Sequence, residues 1–168
     1  NLKRLITMKN LNLLTAIGNT GYGIAGLNIV KELAKKIDVA LFPMGQPSVD
    51  NQEDANLLSS MVNRAQTFQY NAPCLKIWHQ FDLAAHIGSG PYYAFPFFEL
   101  NAFNALEQHH IKYPDKILVT CQWAKNVIEQ YTTDNVEVVP LGIDPNIFSL
   151  EALKQVQKRK KRNTFVVA

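Results

Sequence analysis

The residues of this chain best suited to chemistry are one histidine, two carboxylates and a glycine cluster. His79 lies in "KIWHQF", Asp82 follows three residues on, and Glu99 comes directly after "FPFF". An imidazole at a strand end can orient a hydroxyl or take its proton, and a nearby carboxylate can orient the ring or hold the same ligand. Each also has a plainer use. His79 can be a strand-end residue held by backbone groups, Asp82 a helix N-cap, and Glu99 a first-turn acid favoured by the helix dipole. In "AIGNTGYGIAG", Ala16 to Gly26, an apolar run gives way to an amphipathic one through glycines. Gly21, Tyr22 and Gly23 are therefore candidates for contact with a diphosphate or a sugar hydroxyl. Glycine lets backbone approach a ligand and take positive φ, and a helix N-terminus presents unpaired N–H groups. The alternative is a tight strand-to-helix turn in which Gly26 only permits close packing.

Gly21, Gly23 and Gly26 spell G-x-G-x-x-G, but a dinucleotide site also needs an acid at the far end of the second strand. The nearby acid, Asp38, stands at the beginning of that strand, and its other end reads Leu41, Phe42, Pro43 and Met44. Leu27 and Asn28 after Gly26 replace the lysine and hydroxyl of a triphosphate loop. The two cysteines, Cys74 and Cys121, lie far apart and beside or within expected strands, so they read as buried free thiols. His109 and His110 read as a solvated helix end, because no companion ligands have metal spacing.

These residues need a frame. Short β-branched or apolar runs alternate with helical patterns, the arrangement of a parallel sheet with crossover helices. Strands are expected at 11–17, 38–43, 75–80, 92–98, 116–121, 136–142 and 164–168. Helices are expected at 23–36, 52–66, 99–108, 122–131 and 150–158. Right-handed crossovers bring the strand carboxyl ends to one edge, so the glycine loop, "PMGQPS", "WHQFD", "PFFE", "TCQW" and "PLGIDPNIF" share a rim. Trp123 on that rim can border a cleft or pack beneath its loop, and its large apolar area favours packing.

The 168 residues, 47% of them apolar, suit one globular domain. The net charge of +3 comes largely from "KRKKR", Lys158 to Arg162. The body gives no electrostatic case for nucleic acid. The basic run reads as a solvated linker, with peripheral contact to anionic lipid or contact to nucleic acid as the other use. No apolar stretch approaches the roughly 20 residues that span a bilayer, so a soluble, cytoplasmic protein is expected. Residues 1–7 carry no pattern, whereas "MKNLNLLTAIG" from Met8 reads like a natural start.

Taken together, "GNTGYGIAGLNIVKEL", "FPFFELNAFNALEQHHIKYPDKILVTCQWAKNVIEQ", "VEVVPLGIDPNIF" and "NTFVVA" resemble the N-terminal half of a GT-B glycosyltransferase of the group 1, family 4 kind. "PLGIDPNIF", Pro140 to Phe148, fits that family's P-x-G-(V/I)-D-x-x-x-F segment position by position. The resemblance implies a Rossmann-like domain over 8–148, a basic linker over 149–163 and, at 164–168, the first strand of a second, donor-holding domain. It implies a retaining transfer from a nucleotide-sugar to a hydroxyl on a sugar, glycan, lipid or protein acceptor, with no metal or other cofactor. His79 would then be the catalytic candidate, and Gly21, Tyr22, Gly23, Asp82 and Glu99 the substrate-binding ones. Asp144 would belong to the passage between domains. The family's E-x7-E pair and its basic diphosphate contacts have no counterpart before Ala168, so this chain by itself is expected to be inactive. The competing reading is a non-catalytic Rossmann-like module that binds carbohydrate or protein.

Overall fold

The computed structural model describes residues 9–132, 135–145 and 148–151. Alternation in "NLNLLT" forms β1 (Asn10–Thr15), whose Leu11 and Leu13 are buried. Thr20 then caps α1 (Gly21–Ala34), its side chain accepting from the Gly23 N–H. The buried positions of α1, Gly23, Gly26 and Val30, recur at helical spacing and form its packed face. β2 (Asp38–Pro43) follows, then α2 (Gln52–Arg64), capped by the Asn51 side chain and continued by a 3-10 turn over Ala65–Thr67. β3 (Cys74–His79), β4 (Tyr92–Phe97), α3 (Ala105–His110), β5 (Lys116–Val119), α4 (Gln122–Ile128) and β6 (Val136–Val138) complete the described elements.

All six strands are parallel, in the order β2-β1-β3-β4-β5-β6. The fold is α/β and Rossmann-like, a parallel sheet flanked by helices. One face of the sheet, with Leu11, Leu13, Val39, Leu41, Ile77 and Phe95, joins Val30 of α1 and Leu58 and Met61 of α2 in one apolar cluster. The other, with Cys74, Tyr92, Ala94, Ile117 and Val119, joins Ile111 and the α4 residues Ala124, Val127 and Ile128 in a second. An ion pair between Lys31 and the buried Asp54, 2.7 Å long, ties α1 to α2.

Several elements are shorter than the sequence suggests. The helix expected over 99–108 occupies only Ala105–His110. Asn104 and Glu107 close a capping box there: the Glu107 N–H donates to the Asn104 side chain, and the Asn104 N–H donates to the Glu107 carboxylate. Glu99 therefore lies on a loop, which removes its reading as a first-turn acid. β6 stops at Val138, where its pairing with Val119 runs out, and Pro140 has no N–H to extend a ladder. β5 likewise ends at Val119, which leaves Cys121 beyond the strand. The expected strand at 164–168, the basic run, residues 1–7 and the helix beyond Glu151 lie outside the described residues.

The β3–β4 connection, residues 80–91, contains no helix. Side chains hold it instead. The Tyr92 hydroxyl donates to the Leu83 carbonyl, Lys76 Nζ donates to that of Ala85, and His110 Nδ1 accepts from the N–H groups of Leu83 and Ala84 at 3.0 and 3.1 Å. The solvated-helix-end reading thus fails for His110, a half-buried acceptor, while His109 is exposed beside the Tyr113 hydroxyl.

Candidate functional site

The chain runs from β1 outward to β2 and returns to β3 on the other side of β1, so the strand order reverses between β1 and β3. In open α/β sheets the crevice at the carboxyl ends of such a pair is the usual ligand position. The glycine loop leaves β1 there and His79 ends β3 there.

Tyr22, in the first turn of α1, leans over the ends of β3 and β4. Its ring lies 4.4 Å from that of His79, 5.6 Å from Phe97 and 5.9 Å from Trp78. The Tyr22 hydroxyl and His79 Nδ1 are 3.2 Å apart, in a hydrogen bond whose direction follows the imidazole tautomer. Phe81 also stacks on the His79 ring at 5.0 Å, which fixes its plane. Burial first, and the Glu99 carboxylate second, hold the Tyr22 hydroxyl above its usual pKa. It therefore stays protonated at neutral pH and able to donate.

Beside this pair opens a cleft of about 340 Å³, within the range of small-ligand pockets. Its walls come from Gly21, Tyr22 and Ala25 of the first α1 turns, from Pro96 to Glu99 at the end of β4, and from the segment after β5 with Thr120, Cys121 and Trp123. Leu141 adds an edge. The Trp123 indole packs on the Phe98 ring at 5.7 Å yet is 47% exposed, so it borders the cleft rather than filling space beneath its loop.

Cys121 corrects the expectation of two buried thiols. Cys74 is buried, but Cys121 is exposed at the N-cap of α4. A hydrogen bond from the Ala124 N–H is the main reason its thiol pKa is lowered, with smaller help from Thr120 and the Trp123 N–H.

The sequence candidates separate into two groups. Gly21, Tyr22 and Glu99 line the cleft, and His79 stands behind Tyr22. Gly23 does not line it: a Cβ there would meet the backbone of Gly18, and one on Gly26 would meet the Ala16 carbonyl and Thr15 Oγ1. These two glycines serve close packing of loop and helix. None of the loop glycines takes positive φ, since among the described residues only Gly45, Gly88 and Asn135 do. Asp82 is not a helix cap, and its carboxylate turns away from the His79 ring, only its backbone N–H donating to the His79 carbonyl. Its carboxylate sits 3.2 Å from Nζ of Lys76, which is 2% exposed and points from β3 to the face opposite His79. A buried ammonium needs such partners, and Asp82 with the Ala85 carbonyl supplies them. Lys76 carries no periodic or motif signal that the sequence reading could have used.

Asp38 lies at the amino end of β2, exposed and 3.7 Å from Arg64, away from the crevice. Among the described residues, no group of three or more His, Cys, Asp or Glu could hold a metal ion, and no helix is long and apolar enough to cross a membrane. Comparison with models of protein families and with curated proteins gives no match to the chain.

Proposed function

We propose that the chain forms the acceptor side of a retaining, nucleotide-sugar-dependent glycosyltransferase that transfers a sugar to an acceptor hydroxyl. The observation that carries this reading is the hydrogen-bonded Tyr22–His79 pair beside a cleft at the sheet's switch point. With Nδ1 accepting from the Tyr22 hydroxyl, His79 orients that hydroxyl toward the acceptor in the cleft and takes a proton relayed through it as Tyr22 accepts the acceptor's own. Glu99, in the same cleft, accepts from further hydroxyls of the same ligand. The donor diphosphate is held by a second domain of the kind the resemblance implies. A second reading, a carbohydrate-binding module without catalysis, is favoured by one observation: none of the described residues lining the cleft is a lysine or arginine that could steady a leaving diphosphate.

Transfer from a panel of nucleotide-sugars, measured on the product of the complete coding sequence that contains these residues, separates the two. A transferase loses about 10²–10⁴-fold in turnover on His79→Ala, with donor affinity little changed. Absence of transfer from every donor, with glycan binding retained, leaves the binding module.

A further inference from the structure

The charge and shape of the cleft constrain what can occupy it. Glu99 is the one formally charged side chain among its described lining residues. Of the described basic side chains near the lining residues in sequence, Lys31 pairs with Asp54, Lys116 with Glu137 and Lys125 with Glu129. His79 stands behind Tyr22, with Nδ1 engaged by its hydroxyl. An anion entering the cleft would lie beside the Glu99 carboxylate with no lysine or arginine among the described lining residues to offset the repulsion, and desolvation between low-dielectric walls would sharpen that cost.

Among the described residues no donor is bonded to this carboxylate, which wants hydroxyl or N–H groups. The half-exposed Trp123 indole lines the same cleft, backed by the Phe98 ring. A flat apolar face sharing a cleft with an acceptor matches a pyranose, whose C–H face stacks while its hydroxyls donate at the edge. Thr120 and Tyr22 bring hydroxyl-bearing side chains to the same cleft.

We infer that this cleft takes an uncharged sugar ring, stacked on Trp123 and hydrogen-bonded to Glu99, and that it rejects phosphorylated and uronic sugars. The inference rests on the reading of the cleft as a glycan site and adds the ligand class.

The test is binding to the 168-residue chain with no donor present, read from the Trp123 indole N–H in NMR spectra. That resonance is assigned by its loss in Trp123→Phe. The probes are a panel of neutral methyl glycosides, a hexose phosphate and a uronic acid. At least one neutral glycoside should shift the resonance, with the two anionic probes at least about tenfold weaker, a difference of about 1.4 kcal/mol. Glu99→Gln should narrow that gap by strengthening the anions relative to the glycoside, and Trp123→Ala, followed through backbone amides, should abolish glycoside binding. Both side chains are exposed, and unchanged amide spectra elsewhere confirm the fold. Anion binding equal to or tighter than the best neutral glycoside overturns the inference, as does glycoside binding that survives Trp123→Ala, or no binding of any glycoside. Glycoside binding without sugar transfer rejects the transferase and keeps the ligand class. Transfer to phosphorylated acceptors with no neutral preference does the reverse.

Discussion

At the scale of single residues, the glycine loop separates positions that its spelling makes look equivalent. A Cβ on Gly21 would meet nothing within 4 Å, whereas one on Gly23 or Gly26 would collide with backbone atoms that have nowhere to move. Gly21→Ala should therefore leave the thermal unfolding midpoint nearly unchanged, while Gly23→Ala and Gly26→Ala each lose about 1–3 kcal/mol, the usual cost of overpacking. Thermal denaturation of the three variants checks this, and equal losses at all three would mean that the loop needs glycine for its backbone conformation. His79 and Tyr22 were legible because a histidine after a β-rich run and a tyrosine inside a glycine loop are unusual. The roles of Asp82 and Cys121 were not. Each depends on a contact, to Lys76 in one case and to the Ala124 N–H in the other, that only the folded chain creates.

At the scale of elements, α1 and α2 are joined by an ion pair whose acid is almost fully buried. The Asp54 carboxyl is held below the usual carboxylate value, about 3.9, first by the hydrogen bond from Lys31 and then by that from Asn51. Its folded pKa lies below its unfolded one, so its contribution is complete above the unfolded value and is lost as pH falls through the folded value. Denaturant titrations across the acid range should show a steep loss of stability below about pH 4. That loss should be shallower in Asp54→Asn, which is less stable than the parent chain near neutral pH. Identical acid slopes in the two proteins would place the acid sensitivity elsewhere. The strand and helix order was legible from periodicity alone. The element ends were less so, because the capping box at Asn104 and Glu107 and the exhausted pairing of β6 stop their elements earlier than apolar content suggests.

At the scale of the whole molecule, the two cysteines report on global opening. Cys74 opens β3 within a buried core cluster, where burial pushes its thiol pKa up, while Cys121 sits exposed with its own lowered. In the native protein a thiol reagent should modify one equivalent rapidly at neutral pH, and Cys121→Ser should remove that phase. Cys74 should react only as the domain unfolds, at a rate that follows stability across the Gly23 and Gly26 variants. Fast modification of both thiols would mean that the second core cluster opens locally.

The sequence by itself determined the alternating α/β order, the rim that the strand carboxyl ends share, and the position of Asp38 at the wrong edge for a dinucleotide. All three follow from local periodicity and from chain direction along a parallel sheet. Only the tertiary structure decided which rim residues face one another. Side chains alternate along a strand, so His79 and Lys76 point to opposite faces of β3, and Asp82 follows the buried ammonium instead of the imidazole. The end of β5 at Val119 then exposes Cys121 and Trp123 beside Glu99. A strand's last pairing depends on its neighbour's register, a relation between distant segments that neither segment's own residues contain.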